Sequence, residues 1–463
     1  MPFVFYDTET TGKEPKFDQI LQFAAIKTDD NLNEIDEFNI RCRLLAYIIP
    51  SPGALVKTRV HPRMLVDKML PSHYAATRAI RAKFLDWSPA VFVGHNSISF
   101  DEELLRQGLF KTLHDPYLTN KNGNRRADAL RIAHAAHAYS PGSLNIPKTD
   151  DGRETFSLEK LAPANGYAHV DAHEALADVR ATIHIAKRIK ERSSDVWDVM
   201  IENCSKQTVV EKMRSMPEFS WTARWGRNFS FLATACGINP KNTGQVAVFD
   251  LAYDPSKFFE LSVDELVEAI NSDNKIIRVV AANKQPILFS PEKAPNDTKA
   301  TEVDPVERAR RSQLIAQNQD FQSRVSIALS LRYADTPKSS YVEELIYDGF
   351  ANADEPAMER FHRIEWKDRH SITASLQDAR LIELGRRLLY VEHPDGMTDE
   401  ARAERKAWVL TRCTTQEDVP WTTVQRAYAE ADEMLVDAGP DDTNLLNDFK
   451  DYLSDVQRGF EAG

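Results

Sequence analysis

The chain has 463 residues, which is enough for about three domains of ordinary size and argues against a single compact domain. Apolar residues make up 42% of the chain and charged residues 28%, proportions that exclude wholesale disorder. With 58 Lys and Arg against 70 Asp and Glu, the net charge of −12 argues against a protein that coats nucleic acid nonspecifically, although it does not exclude an enzyme with a local basic groove.

The first 194 residues predict an α/β domain, because strand patterns rich in β-branched and aromatic residues are followed by helical patterns. The domain ends at the polar run 191–194. The predicted elements in chain order are strands over 3–6, 20–27 and 37–44, a helix over 74–87, a buried strand over 90–93, and helices over 101–110, 127–138, 157–164 and 172–192.

A smaller β-rich domain is predicted over 195–338. Residues Phe219–Trp225 alternate between apolar and polar side chains, and the turn at 226–228 leads into a second strand, which predicts a hairpin. The stretch 290–303 reads as a loop, and Asp304-Pro305 supplies an N-cap and a first-turn proline for a helix. Further strands are predicted over 246–251, 276–281 and 287–289.

The remaining residues, 339–463, have almost continuous helical spacing and predict an all-helical domain. The predicted helices are 340–350, 376–390, 399–411 and 421–437.

The four cysteines are too far apart for a zinc pattern or a dense disulfide framework, as expected of a reducing compartment. The first residues lack the basic and apolar regions of a signal peptide, and no apolar run reaches the length of a membrane span. We therefore expect a cytoplasmic protein with no membrane contact.

Acidic residues and one histidine form three separate motifs. Asp7 and Glu9, two apart at the end of the first strand, project from the same side, and Asp101 opens a helix after a buried strand. His173 and Asp178 lie five apart on the last helix of the first domain. Taken singly, each has an ordinary alternative, since acidic pairs are mostly surface groups, Asp101 suits a helix N-cap, and the last two suit an exposed helix face.

The order of these motifs makes coincidence a poor explanation. It resembles the DEDD exonuclease superfamily in its His-containing branch, and this resemblance implies a ribonuclease-H-like fold and hydrolysis of nucleic acid from the 3′ end. It further implies that Asp7, Glu9, Asp101 and Asp178 bind two Mg²⁺ ions, which Mn²⁺ can replace. His173 is then the candidate general base, because the pKa of histidine lies near working pH.

Within the superfamily the chain resembles the exodeoxyribonuclease I family. Five segments carry this resemblance: FYDTET at 5–10, QFAAIKTD at 22–29, ADVRATI at 177–183, NKQP at 283–286 and YDGFANAD at 347–354. The resemblance implies an exonuclease domain (1–194), an SH3-like β-rich domain (195–338) and a C-terminal helical domain (339–463). Residues 290–303 have no counterpart in that pattern.

The resemblance also implies a substrate and a partner. We expect processive degradation of single-stranded DNA to 5′-mononucleotides, in DNA repair and recombination, by a monomer. We expect the single-stranded DNA-binding protein to dock through its acidic C-terminal tail.

Candidate contacts with the DNA strand come from three places. By analogy with the superfamily, Asn96 and the backbone around Thr10 and Thr11 contact the 3′ nucleotide. The aromatic hairpin with its arginines is a candidate base-stacking platform, although aromatic residues on one strand face more often belong to a core. The remaining candidates are Trp225 and Arg227 in the hairpin, and Arg125 and Arg126, whose alternative is a solvated loop.

Two other functions remain open. A DEDD exoribonuclease would use the same chemistry, and no residue visibly senses a 2′-hydroxyl group. A noncatalytic single-strand-binding protein is the other alternative, and the presence of all five catalytic residue types weighs against it.

Overall fold

The computed structural model describes residues 1–168, 174–333 and 337–461. All the strands within these ranges belong to two five-stranded sheets. They are β1 (Phe3–Thr10), β2 (Ile20–Thr28), β3 (Glu34–Arg41), β4 (Val91–Gly94), β5 (Arg125–Asp128), β6 (Phe219–Trp225), β7 (Arg227–Ile238), β8 (Gln245–Asp250), β9 (Ile277–Ala281) and β10 (Ile287–Phe289).

The α-helices of the same ranges are distributed over the whole chain, and none of them is both long enough and apolar enough to cross a membrane. They are α1 (Pro52–Thr58), α2 (Pro62–Leu65), α3 (His73–Trp87), α4 (Asp101–Lys111), α5 (Ala129–Tyr139), α6 (Leu158–Ala164), α7 (Ala175–Arg192), α8 (Ser194–Glu202), α9 (Lys206–Ser215), α10 (Val263–Asn271), α11 (Pro305–Gln317), α12 (Gln319–Leu331), α13 (Glu355–Phe361), α14 (Arg369–Ser375), α15 (Ala379–Glu392), α16 (Asp399–Thr414), α17 (Val424–Leu435) and α18 (Pro440–Glu461).

The first sheet has the order β3-β2-β1-β4-β5, with β1 at its centre. The β1, β2 and β3 strands pair antiparallel, whereas β1, β4 and β5 pair parallel. Apolar side chains on one face pack against α5, α7 and α8, and those on the other face pack against α3 and α4. Strands covered on both faces account for the nearly continuous apolar runs of β1 and β4. This arrangement confirms the predicted ribonuclease-H-like α/β domain.

Several element boundaries differ from the prediction. The β1 strand continues through Thr10, because its polar second half also pairs with β2, with a shift in register between Glu9 and Thr10. The β3 strand covers Glu34–Arg41 instead of 37–44. The short strand β5 precedes the helix predicted at 127–138, so that Arg125 and Arg126 lie in a strand and not in a loop. Residues 169–173, with the predicted start of the helix at 172, lie outside the described residues.

The second sheet has the order β10-β6-β7-β8-β9, and its strands pair antiparallel, as predicted for the SH3-like domain. Helices α10 and α12 pack against it. The capping box of Ser262 and Glu265 starts α10, a helix that the sequence analysis missed. The predicted start of α11 is confirmed, because the Asp304 side chain accepts a hydrogen bond from the Val306 amide at 2.8 Å.

The C-terminal domain is helical, but the helix predicted over 340–350 is wrong. Only the 3₁₀ turn Val342–Leu345 forms there. Gly349 adopts a φ of 121°, which a helix does not accommodate, and the chain turns away at this point.

The C-terminal helices share their apolar cores with the exonuclease domain. One cluster joins Leu45 and Leu55 to Phe449, and another joins Phe110 to Phe361. Helix α8 packs in the core of the first sheet, although it follows the boundary predicted at residue 194. The three domain boundaries themselves stay predictions.

Candidate active site

Three carboxylates meet where β1 contacts α7. Asp7 and Glu9 are two apart in β1 and therefore project from the same face of the sheet. Asp178 lies in the first turn of α7, whose apolar residues Val179 and Ile183 anchor the helix in the core below. One oxygen of each of the three carboxylates lies within 4.8 Å of the other two. The structure thus brings together two motifs that are about 170 residues apart in the chain.

Asp101 lies beside this cluster. It is the first residue of α4, its exposed fraction is 4%, and its Oδ1 accepts a hydrogen bond from the Thr8 hydroxyl at 2.5 Å. The remaining motif residue, His173, lies outside the described residues.

Three of these carboxyl groups, those of Asp7, Glu9 and Asp101, lie in an environment that raises their pKa. Burial, with the neighbouring charges of Asp178 and Asp101, raises the pKa of Glu9 to about 9. Burial and the charge of Asp101 raise the pKa of Asp7 well above its usual range, and burial raises the pKa of Asp101 to about 7. Clustered carboxylate oxygens are ligands that hard divalent cations prefer, and a cation would offset their repulsion. The donor set therefore fits a divalent metal site.

The hydroxyl groups of Thr10 and Thr11 are used inside the protein. Thr10 donates to the Gly12 carbonyl at 2.8 Å, and Thr11 donates to the Asp18 carboxylate at 2.7 Å. The backbone around these residues, which is the contact that the analogy predicts, stays a candidate for binding the DNA strand.

Asn96 has an exposed side chain and a left-handed backbone conformation with φ of 66°. This turn is held by Asp128, whose carboxylate accepts from the amides of Asn96 at 2.9 Å and Ile98 at 3.2 Å. Asp128 was not identified from the sequence, because it carries no recognisable motif.

Asn96 lines a cleft between the exonuclease and SH3-like domains. The cleft has a volume of about 320 Å³, and its lining includes the basic residues Arg131, Arg224 and Lys284 together with His134. These residues come from distant parts of the chain, so no local pattern could have revealed the cleft.

Gln285 fixes the two domains at this cleft. It is buried with φ of 44°, its Oε1 accepts from the Asp128 amide at 2.7 Å, and its Nε2 donates to the Met200 carbonyl at 3.0 Å. The NKQP segment at 283–286 was the available sequence signal, although its role was not recognised.

The aromatic hairpin is divided between core and surface. Phe219 and Trp221 are buried, as the core alternative predicts, whereas Trp225 is 55% exposed. The Arg227 guanidinium lies 4.8 Å from the ring centroid of Phe229. Arg227 already pairs with Trp225 as the first residue of β7, so the turn is tighter than predicted.

The two arginines of β5 differ in how exposed they are for contact with phosphate. Arg125 is exposed. Arg126 is half-buried and lies 3.4 Å from the carboxylate of Glu102, and it donates to the Asn283 carbonyl at 3.2 Å. Arg125 is consequently the better candidate for a contact with phosphate.

Comparison with protein families finds three family models that match consecutive stretches of the chain. Residues 4–186 match the exonuclease family, residues 222–329 the exonuclease I SH3-like domain, and residues 340–456 the exonuclease I C-terminal domain. Each match falls within one of the three predicted domains.

Curated relatives match over most of their length. Exodeoxyribonuclease I of Escherichia coli is 29% identical over 476 residues, covering 98% of both chains. Exodeoxyribonuclease I of Haemophilus influenzae is 29% identical over 408 residues, covering 82% of this chain and 84% of the relative.

Solved structures match the whole fold. Exonuclease I from Methylocaldum szegediense superimposes with a TM-score of 0.86 at 25% identity, over 98% of this chain and 99% of that one. Exonuclease I of E. coli in complex with a dA16 oligonucleotide has a TM-score of 0.84 at 24% identity with the same coverage, a likeness of fold. The family depends on divalent metal, in accord with the carboxylate cluster. The domain order and the full-length relatives together show that this chain belongs to the exodeoxyribonuclease I family and is an exonuclease acting on DNA.

Proposed function

We propose that the protein degrades single-stranded DNA from the 3′ end, releasing 5′-mononucleotides at the carboxylate cluster. The observation that carries this proposal is the approach of Asp7, Glu9 and Asp178 to within 4.8 Å, in a chain of this family. Single-stranded oligonucleotides bound to the E. coli relative, dA16 and dT13, support the choice of substrate.

Two divalent ions, Mg²⁺ with Mn²⁺ able to substitute, would be held by Asp7, Glu9, Asp101 and Asp178. Bound there, such ions lower the pKa of water and stabilise charge on the phosphoryl and leaving oxygens. By the resemblance, Asp7 would help to hold both ions. Its place on the central strand of the sheet, where burial and the charges of Asp101 and Asp178 all raise its pKa, supports this assignment.

Other residues of the chain move the proton and position the strand. His173 is proposed to accept a proton from the attacking water, since a neutral imidazole is a suitable base near neutral pH. Asn96 and the backbone around Thr10 and Thr11 are proposed to hold the 3′ nucleotide.

The strand is proposed to leave the site through the cleft between the first two domains. Arg131, Arg224 and Lys284 offer positive charge to phosphates, and Trp225 offers an exposed ring to bases. Arg125 and Arg227 are exposed and are candidates for further phosphate contacts. Contacts with the strand beyond the carboxylate cluster would favour processive degradation.

The single-stranded DNA-binding protein is the proposed partner, through its acidic C-terminal tail. A relative has been solved as an SSB/exonuclease I complex, which supports this pairing. A monomeric state, a cytoplasmic location and a role in DNA repair and recombination are further predictions from the resemblance.

Single-stranded DNA labelled at either end tests the proposal. With Mg²⁺, a 3′ label should be released as a mononucleotide at once, whereas a 5′ label should stay on shortening fragments. A chelator and Asp178→Ala should each stop release. Early release of the 5′ label, or faster degradation of matched RNA, would contradict the proposal.

A further inference from the structure

Glu102 is a buried carboxylate with no part in the proposed chemistry. Its exposed fraction is 1%, and burying a charged group is costly unless it is paired and hydrogen-bonded. Its carboxylate is surrounded by donors from four segments of the chain: the Tyr6 hydroxyl at 3.1 Å, the Thr119 hydroxyl at 2.6 Å, Arg106 Nε at 2.8 Å and an Arg126 guanidinium nitrogen at 3.4 Å.

This carboxylate connects the two elements that carry candidate metal ligands. Tyr6 precedes Asp7 in β1, and Glu102 follows Asp101 in α4. Side chains alternate along a strand, so Tyr6 and Thr8 share the face opposite to Asp7. Tyr6 binds Glu102, and Thr8 binds Asp101. These two hydrogen bonds fix the start of α4 against β1, and with it the distance of Asp101 from the cluster.

The partners of Glu102 also reach the other two domains. Arg106 donates to the Tyr347 hydroxyl of the C-terminal domain at 3.2 Å. Arg126 donates to the Asn283 carbonyl of the SH3-like domain at 3.2 Å. The placement of α4 is therefore connected to both neighbours through two guanidinium groups.

We propose that Glu102 is the positioning residue of the carboxylate site. It holds Asp101 at its place beside β1 and couples that placement to the SH3-like and C-terminal domains. It contacts neither substrate nor metal. The inference rests on the proposed function, because it assumes that Asp101 is a metal ligand.

The test compares Glu102→Gln with a matched control, Glu343→Gln. Glutamine offers one acceptor oxygen and an amide donor, so it cannot accept from two guanidinium groups and two hydroxyls. Glu343 is equally buried at 1% and binds Arg387 at 2.8 Å and Arg412 at 3.0 Å, but it lies near the C-terminal half of α4, where its carbonyl accepts a hydrogen bond from Gln107. A third variant, Tyr6→Phe, removes only the hydroxyl group that joins β1 to Glu102.

We expect Glu102→Gln to lower kcat on single-stranded DNA about 10- to 100-fold, as loss of a partner behind a metal ligand typically does. The Mg²⁺ concentration for half-maximal rate should rise, and KM for DNA should stay unchanged. Tyr6→Phe should change the same quantities in the same direction to a smaller extent. Glu343→Gln should lower Tm and keep the wild-type kcat.

A second readout does not depend on activity. Metal that binds only the folded protein raises Tm, so the rise on adding Mn²⁺ reports the ligand geometry. This rise should be smaller in Glu102→Gln and Tyr6→Phe than in the wild type and Glu343→Gln.

Two results would overturn the positioning role. In one, Tyr6→Phe and any folded Glu102→Gln keep the wild-type kcat and Mn²⁺-induced rise in Tm. In the other, Glu343→Gln loses as much kcat and as much of the Mn²⁺-induced rise in Tm as Glu102→Gln does. Wild-type protein that shows no Mg²⁺-dependent nuclease activity would overturn the proposed function itself, and the inference with it.

Discussion

At the scale of single residues, the site concentrates carboxyl groups that repel one another. Burial and neighbouring negative charge raise the pKa of Glu9 to about 9, and the same causes raise the pKa of Asp7. The folded protein without metal carries this cost, which a divalent cation removes. The carboxylate cluster is therefore expected to lower the stability of the metal-free protein and to raise its affinity for a divalent cation.

Replacing Asp178 tests the role of the cluster in turnover. Asp178→Asn keeps the shape of the side chain and removes its charge, so turnover with Mg²⁺ should fall by at least about 100-fold, more than for loss of a group behind a ligand. Steady-state release of nucleotides measures the effect. Asp198→Asn, an exposed carboxylate on the neighbouring α8, is the control and should leave turnover unchanged.

Replacing Glu9 tests the repulsion through the pH dependence of stability. With the pKa of Glu9 raised from 4.5 to about 9, the folded state retains a proton that the unfolded state has lost in this interval. Stability from Glu9 therefore falls as pH rises from 4.5 to about 9. In chelator, Glu9→Gln should match the wild type in urea unfolding near the lower limit and exceed its stability increasingly above it. A difference that does not change with pH would contradict the prediction.

At the scale of elements, the β6–β7 hairpin combines packing and binding. Its inner aromatic residues support the sheet, and Trp225 at the outer end is 55% exposed. The backbone that carries that ring is paired between two strands, and the ring contacts Phe229 and Phe231, which limits the conformational entropy that is lost when a base stacks on it.

Replacing Trp225 with alanine should weaken binding of single-stranded DNA by about 1 to 3 kcal/mol, the usual contribution of one stacked base. Fluorescence anisotropy in chelator measures binding without degradation. Tyr333→Ala removes another exposed aromatic ring with an arginine stacked on it, in the same domain, and should leave binding unchanged. An equal loss in both variants would contradict the platform.

The sequence predicted elements well where periodicity is strong. The α3, α4 and α16 helices and the β6 strand begin within one residue of the predicted positions. Prediction failed where tertiary contacts decide. Residues 340–350 have helical spacing, yet Glu343 is held by two distant arginines and Gly349 turns the chain, so no α-helix forms.

In the site, too, residues that belong to a sequence pattern differ from residues that only tertiary contacts bring into place. Asp7, Glu9, Asp101 and Asp178 were predicted from motif order, because chemistry restricts their type and spacing. Glu102 and Asp128 carry no such pattern, since their partners are fixed only by folding, and the NKQP segment marks Gln285 without revealing what it contacts.

At the scale of the whole molecule, the C-terminal domain is joined to the exonuclease domain by buried charge as well as apolar contacts. Burial opposes the ionisation of Glu343, but Arg412 and Arg387 hold its pKa below the usual range. Lys111 of α4 lies near the same carboxylate, which therefore lies between the two domains.

Removing that charge should destabilise the entire chain. Glu343→Gln removes the carboxylate charge that pairs with buried Arg412 and leaves Arg387 paired with Glu383. Breaking a buried ion pair by removing one partner typically costs about 3 to 5 kcal/mol. Urea unfolding followed by circular dichroism and by nuclease activity should show one transition shifted to lower urea, because the two domains share cores. Separate transitions for the two signals would contradict this prediction.

The apolar cluster that joins Leu45 and Leu55 to Phe449 determines whether the exonuclease domain can be produced without the C-terminal domain. A truncated product that ends at residue 194 would keep every catalytic motif, and it would also expose the apolar surface that the C-terminal helices cover. We expect such a product to aggregate and to be cleared by cellular proteases. The nuclease is therefore not a detachable module, and a working minimal version must retain the C-terminal helices that complete its core.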